Sequence, residues 1–292
     1  MTPHSHWSTT AARLHRFQEH LQLLLLLTCA AGGLGLALHH PLDPAIAMAM
    51  WLLWAMWVAW HPSVWLWVLP AALPVANLSP WTGWLVFDEF DLLVLATVSG
   101  LLARNRFSHR ASPRLAACPI WQVALMMVLL GLWSCGTVVG ALNAPLSSWH
   151  LFANHESGMW TLRASKALLW ALLLWPWLRL NLLQAPQHTL HRIGVGMVLG
   201  LAVVSAVAIN ERLAYPGLTD FISHYRTTAL FWEMHVGGAA IDAYLALATP
   251  FAVWALWHYG APPDLSLRAR PPKGVEKTWE RPGVFSRGGM WL

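Results

Sequence analysis

The chain is short of charge. Asp, Glu, Lys and Arg make up only 11% of its 292 residues, whereas soluble domains run near one quarter. A surface so poor in ionised groups argues against a water-exposed globular domain. Cysteine is scarce too. Cys29, Cys118 and Cys135 are too scattered for a disulfide framework or a metal set, and as small residues in or beside apolar runs they read as packing groups. No HExxH, no GxSxG and no phosphate-binding glycine loop occurs, which removes the commonest zinc, serine-hydrolase and nucleotide chemistries. There is no internal repeat. The N-terminus shows no signal peptide with a small-residue cleavage site. Met1 to His20 is polar, and the apolar run after it reads as an uncleaved anchor.

Histidine is plentiful, at 15 residues, but no apolar run carries one at its centre, so a transmembrane haem bundle is disfavoured. His188 and His191 are three apart with no further ligand beside them. No metal and no cofactor is expected.

What is present is hydrocarbon: 57% of residues are hydrophobic, with 21 Trp. Several runs approach the roughly 20 residues that cross a bilayer. The fold class expected is all-α, a polytopic transmembrane helical bundle of about eight spans. These are approximately Leu21–Leu38, Ala45–Trp60, Ser63–Ala76, Asp91–Leu102, Ile120–Leu142, Ala167–Leu183, Ile193–Ile209 and Val236–Trp257. The pair His61-Pro62 divides the second from the third, since proline ends or kinks a helix. One bent helix over Ala45–Ala76 is the alternative, and charge decides against it. With eight spans and a cytoplasmic N-terminus, the inner segments collect all of the 18 Lys and Arg except Arg163, Lys166, Arg212 and Arg226. Merging the two spans would put Arg104–Arg114 outside, against the positive-inside bias. Both ends are therefore expected to be cytoplasmic. The net charge of +5 is explained by this orientation, and nucleic acid is not an expected partner. The domains read as a cytoplasmic segment 1–20, a transmembrane domain 21–258 and a disordered cytoplasmic tail 259–292, rich in Pro, Gly and charge.

Many Trp residues, such as Trp60, Trp81, Trp84, Trp149, Trp160 and Trp257, fall near span ends, where an indole can face headgroups. Trp51, Trp54 and Trp57 recur every three residues and read as a packing or lipid-facing stripe.

The chemistry, if there is any, belongs to the outer face. Arg163 and Lys166 are three apart, so a helix puts them on one side. Arg226 precedes an apolar run that holds Glu233, His235 and Asp242, groups that lipid penalises. Arginine offers a planar fork to phosphate oxygens and lysine a point charge. Arg226, Arg163, Lys166, Arg212 and Asp242 are accordingly the candidate substrate-binding residues, as a site for a lipid-linked diphosphate at headgroup level. Each has a plainer reading: the bases snorkel to headgroups, Arg212 pairs with neighbouring Glu211, and Asp242 makes an interhelical hydrogen bond or ion pair. His235 and Asp242 are two helical turns apart and share a face. His224, Glu233 and His235 are weak candidates for a catalytic base.

Three segments carry a resemblance. PWTGWLVFDEFDLLVLATVSG (Pro80 to Gly100), LRASKALLWALLLWPWLR (Leu162 to Arg179) and YRTTALFWEMHVGGAAIDAYLALATPF (Tyr225 to Phe251) resemble the membrane core of O-antigen ligase-like and O-antigen polymerase-like proteins, over roughly Leu21 to Trp257. The resemblance implies a GT-C-type glycosyltransferase of the bacterial inner membrane. Such an enzyme transfers glycan from an undecaprenyl diphosphate carrier at the periplasmic face, without a cofactor. It implies that Arg226-Thr227-Thr228-Ala229 opens a core span and that outer arginines hold the carrier diphosphate. Members of that family also carry a large periplasmic loop late in the chain, with a histidine proposed as the base. Nothing similar follows Gly260, so the chain reads as a partial or inactive copy, and no catalytic role is transferred to His224 or His235. The residues leave two other classes open: a transporter or flippase of a lipid-linked or anionic solute, and a non-catalytic membrane assembly subunit. An exosortase-like transpeptidase is more distant, because its cysteine would be Cys135, inside a span.

Overall fold

The computed structural model describes residues 4–76, 87–107, 119–142, 160–215, 217–219, 227–231 and 239–259, with the backbone path alone for 4–18, 141, 160–164 and 239. Everything described is helix, turn or short connection, with no strand among the described residues. Eight helices follow in order: α1 (His4–Leu38), α2 (Pro44–Trp60), α3 (Trp65–Ala72), α4 (Glu89–Phe107), α5 (Ile120–Leu142), α6 (Trp160–Gln184), α7 (Pro186–Ala214) and α8 (Ala239–Tyr259). Five contain stretches long and apolar enough to cross a membrane: Glu19–Leu38, Ile120–Gly140, Ser165–Gln184, Pro186–Ala214 and Ala240–Tyr259.

The helices fall on the expected apolar runs, but α6 and α7 each begin seven residues before their expected spans, and two differences are larger. α1 continues back through the polar N-terminal segment to His4. The expected third span is an eight-residue helix with Pro70 inside it. At 1.5 Å per residue it is about 12 Å long, too short to cross a ~30 Å hydrocarbon core alone. Proline explains this. Pro70 lacks the N–H that would bond back along the helix, and the chain turns through residues 73–75 around Pro74.

Local chemistry sets the helix ends. Asp43 caps α2 by accepting from the N–H groups of Ala45 (2.8 Å) and Ile46 (3.1 Å), with Pro44 at the first helical position, where its missing N–H costs nothing. At α4, Asp88 and Asp91 cap each other: the Asp88 N–H donates to Asp91 Oδ2 (2.8 Å) and the Asp91 N–H to Asp88 Oδ1 (3.0 Å), a carboxylate version of the reciprocal capping box.

α4 is the hub. It packs on α1, α2, α3 and α6, and Val94, Ala96, Thr97 and Val98 are fully buried. Gly100 lets it approach α2, since a Cβ there would lie 2.3 Å from the Ala55 carbonyl oxygen. A polar contact crosses this core between α2 and α4: Trp54 Nε1–H donates to Thr97 Oγ1 (2.8 Å), which donates to the Leu93 carbonyl (2.7 Å). A second cluster joins α7 and α8 through Met197, Val204, Ile241, Tyr244 and Ala248. Ile193 packs against both clusters. α3 lies on α7 over Gly196, whose Cβ would meet the Trp67 carbonyl oxygen at 2.2 Å. α5 packs on α6, and no residue of its spanning stretch is fully buried. In a bilayer such a helix is solvated by lipid.

Polar contacts sort to two ends. At one end, Arg104 Nη1 donates to the carbonyls of Ala59 (3.0 Å) and Trp60 (3.3 Å), Arg192 Nη1 reaches the Ser63 carbonyl (3.4 Å), and His191 Nε2 lies 2.5 Å from Tyr259 Oη. At the other, His40 meets Glu89 and Lys166 meets Asp88 and Asp91.

Candidate functional site

Two cavities have ionisable residues in their walls. The first lies between α1, α4 and α6, has a volume of about 810 Å³, and is walled by Leu25, Gly32, Gly35, Leu95, Leu169 and Leu173, with Lys166 and Trp170 among its remaining lining. The N-terminal turns of α4 and α6 meet here. Lys166 Nζ donates to Asp88 Oδ2 (3.0 Å) and to Asp91 Oδ2 (2.5 Å). Trp170, one turn further along α6, donates its Nε1–H to Asp91 Oδ1 (2.6 Å). Asp91 is 1% exposed, so its carboxylate has exchanged water for an ammonium, an indole N–H and the Asp88 backbone N–H. A buried charge is tolerable only when paired and hydrogen-bonded in this way. The Phe87 ring centroid lies 5.9 Å from Lys166 Nζ. Beside the cluster His40 Nε2 contacts Glu89 Oε1 at 3.2 Å.

The second cavity, of about 410 Å³, lies between the C-terminal end of α7 and the start of α8. Arg212, Thr227 and Asp242 line it with Ile209, Leu218 and Ile241. The connection is pinned beside it. The Glu211 carboxylate accepts from the N–H groups of Thr228 (3.1 Å) and Ala229 (2.6 Å). Ala229 has φ +50°, a left-handed conformation that costs a non-glycine residue about 1 kcal/mol or more. Two hydrogen bonds to one carboxylate offset that cost.

Of the residues expected to bind a diphosphate, Arg212 and Asp242 come together in the α7/α8 cavity, and Thr227, the neighbour of Arg226, joins them. Lys166 is elsewhere: no lining residue is common to the two cavities. Two carboxylates engage it, so it is not the open cation that the sequence suggests. Arg163 lies one turn before Lys166 on α6, with its side chain outside the described part. Arg226, His224, Glu233 and His235, and the tail from residue 260, fall outside the described residues. Glu211, read from the sequence as the ion-pair partner of Arg212, also accepts from the 228–229 backbone.

Asp88, Asp91 and Trp170 were not singled out from the sequence as site residues. A signal was available: the acids of Phe87-Asp88-Glu89-Phe90-Asp91 and the base Lys166 stand at the starts of two apolar runs on the same expected face. Among the described residues no three His, Cys, Asp or Glu side chains group as metal ligands. His191 instead contacts the rings of Trp254, His258 and Tyr259. No family model, no curated protein and no solved structure matches this chain. The helices establish a helical protein with five stretches fit to span a membrane.

Proposed function

We propose that this is a multi-span protein of the bacterial inner membrane, of O-antigen ligase-like or polymerase-like character, that takes an undecaprenyl diphosphate-linked glycan at the periplasmic face. The α7/α8 cavity is the seat of the diphosphate. One observation carries this reading: Arg212 and Asp242, from different helices, line a single cavity with Thr227, the residue that follows Arg226. Arg212 and Arg226 supply the planar forks that match phosphate oxygens. Asp242 sets the orientation of the basic groups and limits their attraction to one headgroup. In glycan transfer these cations stabilise the charge that develops on the departing diphosphate.

The test is binding of farnesyl diphosphate, a short carrier probe, to the purified protein in nanodiscs, read as a thermal shift. Wild type is stabilised, and Arg212→Ala and Arg226→Ala each lose the shift while keeping the ligand-free Tm. An equal shift in wild type and both variants, or none in wild type, overturns the reading.

A second reading, a membrane assembly subunit without chemistry of its own, is favoured by a specific observation. Lys166 is held by two acids, Glu89 contacts His40, and Glu211 accepts from backbone. On that reading no lipid diphosphate binds, and deletion of the protein lowers the abundance of a partner complex.

A further inference from the structure

Tyr244 of α8 ends in a hydroxyl with nowhere to donate. The residue is 3% exposed, and among the described residues no group hydrogen-bonds its Oη. Its ring is packed. Phe231 lies tilted against it with ring centroids 5.4 Å apart, and Met197, Ile241 and Ala248 belong to the same cluster. Burying a polar atom without a partner is unfavourable, so each such atom calls for an explanation.

Two more unpaired groups lie beside it. α3 stops at Ala72, and the last carbonyls of a helix depend on donors from beyond its end. Four residues after Pro70 comes Pro74, which has no N–H. Four after Ala71 comes Val75, whose N–H goes to the Ala72 carbonyl instead (2.9 Å). Leu73 donates to Leu69 (3.0 Å) and Ala76 to Ala72 (2.7 Å). Among the described residues no backbone N–H is left for the carbonyls of Pro70 and Ala71. Both oxygens lie close to the tyrosine: a Cβ at Gly200 would be 2.5 Å from Tyr244 Oη and 3.3 Å from each of them. One donor from α8 and two acceptors from α3 thus meet over Gly200 of α7, where the missing side chain leaves them room.

The proton count selects the guest. Tyr244 offers one hydrogen, and the two carbonyls only accept. A direct hydroxyl–carbonyl bond would serve one carbonyl and leave the other unpaired. A water molecule accepts the phenolic hydrogen and gives one of its own to each carbonyl, so all three oxygens are satisfied. A metal cation fits worse, because the phenolic hydrogen would still lack an acceptor. Nor is a counter-charge at hand. Asp242 precedes Tyr244 by two residues, about 200° around the helix, and a lone charge at membrane depth is costly.

We propose that a buried water molecule is bound here as part of the fold, linking α3 to α8 across α7. It accepts from Tyr244 Oη and donates to the carbonyl oxygens of Pro70 and Ala71. It makes good the hydrogen bond that Pro74 removes, as ordered water does where proline breaks a helix inside a membrane. None of these residues lines the α7/α8 cavity, so the site does not depend on the diphosphate reading.

The experiment is X-ray hydroxyl-radical footprinting of the full chain in nanodiscs in isotope-labelled water, read residue by residue by mass spectrometry. A radical formed from a held water modifies the side chain beside it even where bulk solvent is shut out. Tyr244 is expected to be labelled well above Trp54, which is also buried but has its indole N–H bonded to Thr97. Tyr244→Phe keeps the ring and removes the donor, and label at position 244 falls about tenfold, the worth of one hydrogen bond. Pro74→Ala returns an N–H to the Pro70 carbonyl and lowers label on Tyr244 as well; if that variant does not fold, Tyr244→Phe decides alone. Tyr244 labelled no more than Trp54 overturns the proposal, because no water is then within reach. Undiminished label in Tyr244→Phe also overturns it, since the ring is then meeting loose solvent. A Tm raised by sodium chloride but not by choline chloride, and only when the hydroxyl is present, overturns it in favour of a cation.

Discussion

Lys166 joins two helices whose sequences lie far apart: its partners Asp88 and Asp91 are 78 and 75 residues away. Replacing it with methionine keeps most of the side-chain volume but strands two carboxylates, one of them 1% exposed. Breaking a buried pair from one side costs about 3–5 kcal/mol. Lys166→Met is therefore expected to lower the unfolding midpoint in detergent strongly, and Lys166→Met with Asp91→Asn to recover part of the loss. An unchanged midpoint in the single variant would show that the cluster is solvated. The sequence makes all three residues conspicuous as ionised groups at the starts of apolar runs. Their pairing was not legible, because it depends on α4 and α6 packing at one level. That is also why Lys166, sensible as an anion ligand on its own helix, turns out to be matched by acids.

At the scale of elements, hydrophobic runs and proline predict well and glycine predicts little. α5 occupies the same residues as its apolar run, from just after Pro119 to just before Asn143. α3 falls short because proline sits within its run, and an apolar count is blind to a missing N–H. Glycines look alike in the sequence and differ in the bundle. Gly100→Ala pushes a methyl into the Ala55 carbonyl oxygen and should destabilise by about 1–3 kcal/mol through forced separation of α2 from α4. Gly35→Ala enters open space and should be neutral or stabilising by up to about 1 kcal/mol from helix propensity. Chemical unfolding of the two variants side by side checks this. Equal effects would mean that the α2–α4 approach is looser than described.

For the whole molecule, the separation of polar contacts into two ends agrees with how the loops divide by charge. Arg104, Arg192 and Tyr259 belong to one end; His40, Glu89 and Lys166 belong to the other. With the basic end inside, reporter fusions at Arg110 and Gln184 are expected to give cytoplasmic activity, and fusions at Ser147 and Ala214 periplasmic activity. The reverse pattern would refute the orientation. The α7/α8 cavity was partly legible: Arg212 and Asp242 stood out as ionised residues beside apolar runs, and the fold supplies their meeting. The α1/α4/α6 groove was not legible at all, because an empty space leaves no mark on composition.

The turn at His61-Pro62 has an awkward biography. Its carbonyls at Ala59, Trp60 and Ser63 receive their guanidinium donors from Arg104 and Arg192. The ribosome delivers the first 45 residues after Ala59 and the second 129 residues after Ser63. The hairpin is thus among the earliest pieces made and among the last to be locked. A nascent chain that stalls before α7 carries an unfinished seam at the membrane surface, open to quality-control proteases until that helix arrives.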